Sequence, residues 1–290
     1  MVGQVNIKEE IITSGQHSVV GILTYGVPGA TMPTVVIFNA GVIHKIGPNR
    51  LHVKLARRLA AEGYNVFRFD YGGQGDSIAR TDGPSSNSYI TNALDLVEKK
   101  TGGGGFVLAG ICSGAEDAYS TAMSDSRIKG VILINGTGLQ LDLFRKLYPD
   151  AEKSIQLRYY KKSMAKADRW LKVLKGKSGA LKLSKIKFIF RQLFKKQGPQ
   201  KQAPAIQATA SFEALKNRNI ALLLVLAEGS TAYDLIRIAY GDKGLEGIEC
   251  KILKNVDHII TPIWAQEELF DLVIGWCNGK FREKELGIGN

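Results

Sequence analysis

The sequence predicts an α/β fold: an eight-stranded, mostly parallel sheet with helices on both faces and a helical cap inserted late in the chain. Three observations carry that expectation. Short apolar runs alternate with amphipathic segments at the spacing of strand-helix units along most of the 290 residues. The middle runs are almost continuously Val, Ile, Leu and Phe, the composition of strands buried on both faces of a helix-covered parallel sheet. One long stretch breaks the alternation and holds the whole of the chain's excess positive charge.

Near the start, "VNIKEEII" and "SVVGILTY" predict an antiparallel edge hairpin. "TVVIFNA" is the third strand, and the helix "NRLHVKLARRLAAEG" follows it. Leu51, Leu55 and Leu59 share one face of that helix, and Gly63 closes it as a C-cap. His52 on this helix and His17 in a turn are expected at the surface. "NVFRFD" is the fourth strand, "GGGG" at 102–105 is a turn, and "FVLAGI" is the fifth strand, leading into the helix "AEDAYSTAM". "VILINGT", "ALLLVLA" and "IECKILK" complete the sheet. With 44% hydrophobic residues the chain buries a large core.

Between the sixth and seventh strands, Gln140 to Lys201 hold 18 of the 39 Lys and Arg but only 4 of the 27 Asp and Glu, which leaves 21 basic and 23 acidic residues elsewhere. Apolar residues recur there at helical spacing, as at Trp170, Val173 and Leu174 and again at Ile186, Ile189, Phe190 and Leu193, with "KGKSG" and "KQGPQKQAP" as breaks. The expected organisation is a core over 1–138, a basic helical cap over 139–215 and the rest of the core over 216–290. Such a block is either a solvated helical face or a surface for something anionic: a membrane, an acidic carrier protein or a polyanion. No nucleic-acid partner is expected. The first residues lack an apolar signal core, and no window reaches the roughly 18 apolar residues of a spanning helix, so a cytoplasmic protein is expected. Three scattered cysteines, Cys112, Cys250 and Cys277, fit neither a disulfide framework nor a CxxC metal site. No metal is expected, and with no P-loop and no dinucleotide fingerprint in "GGQGDS", no cofactor is expected either.

The chemistry concentrates in "GICSGA", Gly110 to Ala115, at a strand-to-helix turn. Glycines at 110 and 114 allow a strained turn that lifts the middle side chain, Cys112, above the sheet. The sulfur would lie at a helix N-terminus near a histidine, the surroundings in which thiols serve as nucleophiles; the alternative is a small buried hydrophobe. Ser113 is out of register as a nucleophile, but its backbone N–H suits an oxyanion donor. The loop "FNAGVIHKIGP" offers a second donor at Ala40 or Gly41, with Asn39 orienting it and His44 either lining the pocket or exposed. His258 in "NVDH", after the last strand, is the candidate general base; the neighbouring side chain of Asp257 is expected to point elsewhere.

With these pieces in this order, the chain resembles the α/β-hydrolase superfamily over nearly its whole length apart from the basic block. "NAGVIHKIGPNRLHVKLARRLAAEGYNVFRFDYGGQGDS" and "GICSGA" look most like the exosortase-associated hydrolases of bacterial polysaccharide and surface-protein gene clusters. The resemblance implies an α/β-hydrolase fold, a structural role for Asp70, Gly73, Gly75 and Ser77, and an acid after the seventh strand. There "LAEGSTAYDLI" departs from the pattern, with Gly229 or Ser230 at the usual position; Asp234 is preferred and Glu228 is the alternative.

A thiolate attacks esters and thioesters readily but is also a good leaving group, so a thiol site favours thioesters, activated esters and lactones over amides. The expected activity is hydrolysis of acyl esters or thioesters through an acyl-S-enzyme. The alternatives are an acyltransferase or cyclase using the same parts, with an acidic acyl carrier protein on "KKSMAKADRWLKVLKGKSG", and a non-catalytic module whose basic cap binds an anionic membrane surface.

Overall fold

The computed structural model describes residues 7–14, 19–28, 31–78, 86–138, 212–240, 245 and 248–282. All belong to one unit of the chain, residues 1–140 with 207–290. The expected cap therefore lies, through residue 211, outside the described residues, as does His17.

The eight strands are β1 (Glu9–Thr13), β2 (Val20–Thr24), β3 (Thr34–Phe38), β4 (Val66–Asp70), β5 (Phe106–Ile111), β6 (Ile128–Ile134), β7 (Ala221–Ala227) and β8 (Glu249–Leu253). They form one sheet in the order β1-β2-β4-β3-β5-β6-β7-β8. β1 pairs antiparallel with β2, and β2 with β4; every later pairing is parallel. The edge hairpin and the parallel body are thus where the alternation of apolar runs puts them.

Helices α1 (Leu51–Ala61), α2 (Ser86–Thr101), α3 (Ser113–Ser124), α4 (Thr231–Tyr240) and α5 (Ile263–Cys277) fill the connections. On one face of the sheet, Val35, Ile37, Val107, Ala109, Ile132 and Val225 pack with Leu51, Leu55 and Leu59 of α1 and with Leu269, Phe270 and Val273 of α5. α3 takes the other face. A Cβ on Gly110 of β5 would stand 2.1 Å from the Gly114 carbonyl oxygen, and one on Gly114 would stand 2.4 Å from that of Asn39, so only glycines allow this approach. Because α1 follows β3 and α3 follows β5 on opposite faces, the carboxyl ends of these neighbouring strands form a topological switch point, where open α/β sheets hold their crevice.

The end of α1 is a Schellman turn, with the Gly63 N–H on the Ala60 carbonyl at 3.0 Å and the Tyr64 N–H on that of Leu59 at 3.1 Å. His52 corrects the expectation from sequence: it is fully buried, not at the surface. Its ring lies under Gly47, where a Cβ would come within 2.6 Å of it. Burial pushes its pKa down to about 4. Phe212 and Leu215, assigned from sequence to the cap, are buried in a helical turn over 212–217. No described helix is long and apolar enough to cross a membrane.

Candidate active site

Cys112 stands between β5 and α3 with φ 57° and ψ −120°, a conformation that no residue of a regular strand or helix adopts. Its own backbone fixes the turn. The Cys112 N–H donates to the Ile134 carbonyl of β6 at 2.9 Å, and its carbonyl accepts the N–H of Ala115 at 3.0 Å and of Glu116 at 3.4 Å. Strain of this kind persists only where the surroundings over-determine it, and it is characteristic of functional turns. The side chain is half-buried. Ser113 is the first residue of α3 and is exposed; its N–H is among those a helix N-terminus leaves without an intrahelical acceptor.

His258 lies in the loop after β8, held by Asn135, a residue that the sequence reasoning passed over. Asn135 sits at the end of β6, buried, with φ 51°. Its amide nitrogen donates to the His258 carbonyl at 2.7 Å. Its Oδ1 accepts the Ala227 N–H at 2.7 Å and the Ser230 hydroxyl at 3.2 Å. Ile134, the last residue of β6, and Asn135, which follows it, thereby anchor the elbow and the histidine loop. The available signal was "NG" directly after a strand, since asparagine tolerates the left-handed conformation. Burial holds the His258 pKa below its ordinary value, and the Asp257 carboxylate opposes that shift. That shift favours the unprotonated ring at neutral pH, the form a general base requires.

The acid is not brought to it. Among the described residues no hydrogen bond or ion pair joins the His258 ring to a carboxylate. Asp234 is buried in the first turn of α4, its N–H on the Ser230 carbonyl at 3.1 Å. Glu228 is exposed at the end of β7, its N–H on the Leu253 carbonyl at 2.8 Å. Asp257 does turn elsewhere, to the Thr261 N–H at 2.7 Å.

The loop after β3 is built on Asp70. Its carboxylate accepts the Asn39 amide at 3.0 Å, the Lys45 N–H at 2.6 Å, the Lys45 ammonium at 2.7 Å and the Asp76 N–H at 3.1 Å. Lys45 is itself buried and also pairs with Asp76. Asn39 is buried, its amide committed to β4, so it holds the loop instead of facing a substrate. His44 joins the same network, 3.2 Å from Asp76 Oδ2 and 3.1 Å from the Lys45 ammonium. Ala40 is buried and Gly41 exposed, with φ 56°. The Gly41 N–H donates to Ser113 Oγ at 2.7 Å. His44, Asp70 and Asp76 offer three ligand atoms within 4.8 Å of one another. The Lys45 ammonium already stands among them, so the group is complete as an ion pair.

Two further carboxyls belong to the first turns of α3. Glu116 accepts the Thr137 N–H at 2.7 Å, and Asp117 accepts the Tyr71 hydroxyl at 2.8 Å. Burial raises the pKa of both.

No protein-family model and no curated protein matches this sequence. Solved structures do match in shape. A dienelactone hydrolase from Anabaena variabilis is 14% identical, with 95% of this chain and 98% of that one covered and a TM-score of 0.53. The Pyrococcus furiosus esterase is 15% identical, with coverages of 95% and 91% and a TM-score of 0.55. An α/β serine hydrolase homologue from Coxiella burnetii is 12% identical, with coverages of 92% and 96% and a TM-score of 0.52. The strand order, the strained turn between β5 and α3 and this likeness over nearly whole chains lead to one conclusion: the chain has the α/β-hydrolase fold.

Proposed function

We propose that the chain is a hydrolase of acyl esters or thioesters, with Cys112 as nucleophile and an acyl-S-enzyme as intermediate. The observation that carries the reading is the backbone of Cys112, φ 57° and ψ −120°, at the open N-terminus of α3. A structural cysteine needs no such strain. His258 takes the thiol proton as Cys112 attacks, then gives it to the departing alcohol or thiol; in the second half it takes a proton from the water that attacks the acyl carbon, the C–S bond breaks, the proton passes from His258 to the Cys112 sulfur, and the acid leaves. In this scheme the Ser113 N–H is a donor to the oxygen on which charge develops, and the Ala40–Gly41 loop backs it from the end of β3. Asp234 or Glu228 is the orienting acid in this scheme. Names such as esterase and dienelactone hydrolase among proteins of the same shape agree with an ester substrate.

Preferential alkylation of Cys112 would not by itself test this, because Cys277 is fully buried and burial raises the pKa of both Cys277 and Cys250. The decisive measurement is intact mass after brief exposure to p-nitrophenyl acetate. The expected result is one acetyl group on Cys112, labile to hydroxylamine and absent in Cys112→Ala, with p-nitrophenol released beyond one equivalent. Turnover that survives Cys112→Ala would refute the assignment. Comparing acyl-CoA as donor ranks thioester against ester.

The charge distribution favours a second use of the same site. Eighteen basic residues between Gln140 and Lys201 suit an acidic acyl carrier, whose thiol would make the reaction acyl transfer. Turnover of a carrier-bound acyl group that falls steeply with salt, while p-nitrophenyl acetate turnover does not, would identify that use.

A further inference from the structure

The hydrogen bond from the Gly41 N–H to Ser113 Oγ, 2.7 Å long, joins residues 72 positions apart and ties the loop after β3 to the first turn of α3. It changes what each group can do. An N–H has one proton, and that of Gly41 is already committed. A serine hydroxyl has two lone pairs and one proton. Here a lone pair is used, while the proton meets no acceptor among the described residues, and the side chain is exposed beside Cys112.

We propose that Ser113 supplies two donors to the oxyanion, its backbone N–H and its side-chain O–H, and that Gly41 acts through that hydroxyl instead of touching the substrate. The proposal rests on the reading of Cys112 as nucleophile. As the Cys112 sulfur bonds to the carbonyl carbon, the C=O π pair moves onto oxygen and the thiol proton goes to His258. The Ser113 N–H and O–H donate hydrogen bonds to that oxygen, and neither gives up its proton. When the pair returns to re-form C=O, the bond to the leaving group breaks and the leaving group takes the proton from His258. The Gly41 N–H, donating to Oγ throughout, polarises the O–H bond, so the chain N–H···O–H···O⁻ strengthens as charge grows. Three features make the donor preorganised: a loop held by the buried Asp70–Lys45 pair, a helix that starts at Ser113, and a bond already formed between them.

The test uses the full chain with Ser113→Ala and Ser113→Thr, and two reactions of the same sulfur. Alkylation of Cys112 by iodoacetamide displaces iodide at a saturated carbon and creates no oxyanion. Acylation by p-nitrophenyl acetate creates one. The expected result for Ser113→Ala is acylation slowed by about ten- to a hundredfold, with alkylation within about twofold of the native rate. Ser113→Thr, which keeps the hydroxyl, should acylate within about fivefold of native. Acylation of Ser113→Ala at or above the native rate would overturn the proposal, because the freed Gly41 N–H would then serve the oxyanion and the hydroxyl would be only a plug. Parallel loss of alkylation and acylation would overturn it too, by making Ser113 structural. A native protein that is alkylated but never acylated would defeat the nucleophile reading, and that outcome is visible before any variant is made.

Discussion

Asn135→Ala should both destabilise the fold and disable the histidine. The side chain is 3% exposed and makes three hydrogen bonds, two of them at 2.7 Å. Truncation leaves the Ala227 N–H and the Ser230 hydroxyl buried without their acceptor, at about 1 kcal/mol or more each, while the part-buried His258 carbonyl can turn to water at about 0.5–1 kcal/mol. At φ 51° alanine adds about 1 kcal/mol that asparagine largely avoids. The sum is about 4 kcal/mol, a large part of the roughly 5–15 kcal/mol that holds a domain together. Asn135→Gly removes the backbone part and should recover about 1 kcal/mol of it. Urea unfolding of the three proteins gives these differences. Single-turnover acylation of the folded variants, at a temperature well below their melting, should fall at least tenfold, because the loop carrying His258 has lost its tie to β6. Stability within about 1 kcal/mol of native, or acylation within about twofold, would refute the reasoning.

Other groups give predictions of their own. His52 has a folded-state pKa of about 4 against 6.5 in the free side chain, so the unfolded chain binds the extra proton. The stability this linkage contributes is complete above pH 6.5 and is lost as the pH falls towards 4, about 3 kcal/mol in all. Urea midpoints at pH 7, 5.5 and 4.5 should show a shallower decline for His52→Leu; an unchanged decline would acquit His52. Asp70→Asn and Lys45→Met should each cost about 3 kcal/mol, while the double variant costs clearly less than their sum, because each single change strands a buried partner. The pH profile of kcat/KM should lose activity only below the ordinary histidine range, since burial depresses the pKa of His258. Asp257→Asn, removing the charge that opposes this shift, should move the acid limb lower still, and an upward move would contradict the assignment.

What the sequence disclosed and what it hid divide by the range of the interaction. "GICSGA" is legible because a tight turn is a local event: Gly110 is required by a contact with Gly114 four residues on, although Gly114 is required by the distant Asn39 carbonyl. The parallel sheet is legible because burial on both faces writes itself into each strand. His52 was misjudged on identity, although its position was informative: 52, 55, 56, 59 and 60 share one helix face, and that face is buried. The bonds of Asn135 to β7 and His258, and that of Gly41 to Ser113, span 92, 123 and 72 positions, and no periodicity encodes them. The basic block was legible as a charge count alone.

On the proposed reading, a histidine that no carboxylate among the described residues touches is coherent with a sulfur nucleophile. A serine hydroxyl must lose its proton in the attack itself, so it depends on a base whose ring is oriented and whose developing charge is stabilised by an acid. A thiol ionises far more readily, so a cysteine can attack with a histidine that the backbone alone positions. In the proposed site the backbone ties would do this: the Asn135 amide donates to the His258 carbonyl, and the carbonyl of Ile134, the residue before it, accepts the Cys112 N–H. In the proposed mechanism, an imidazole whose pKa burial lowers, with the Asp257 carboxylate opposing that shift, would give up its acquired proton easily to a departing alcohol or thiol. Within that mechanism this arrangement suits substrates that leave well and places the burden of catalysis on the oxyanion donors. On the proposed reading, that burden falls on the two donor groups of Ser113, the N–H and the O–H, and not on the acid.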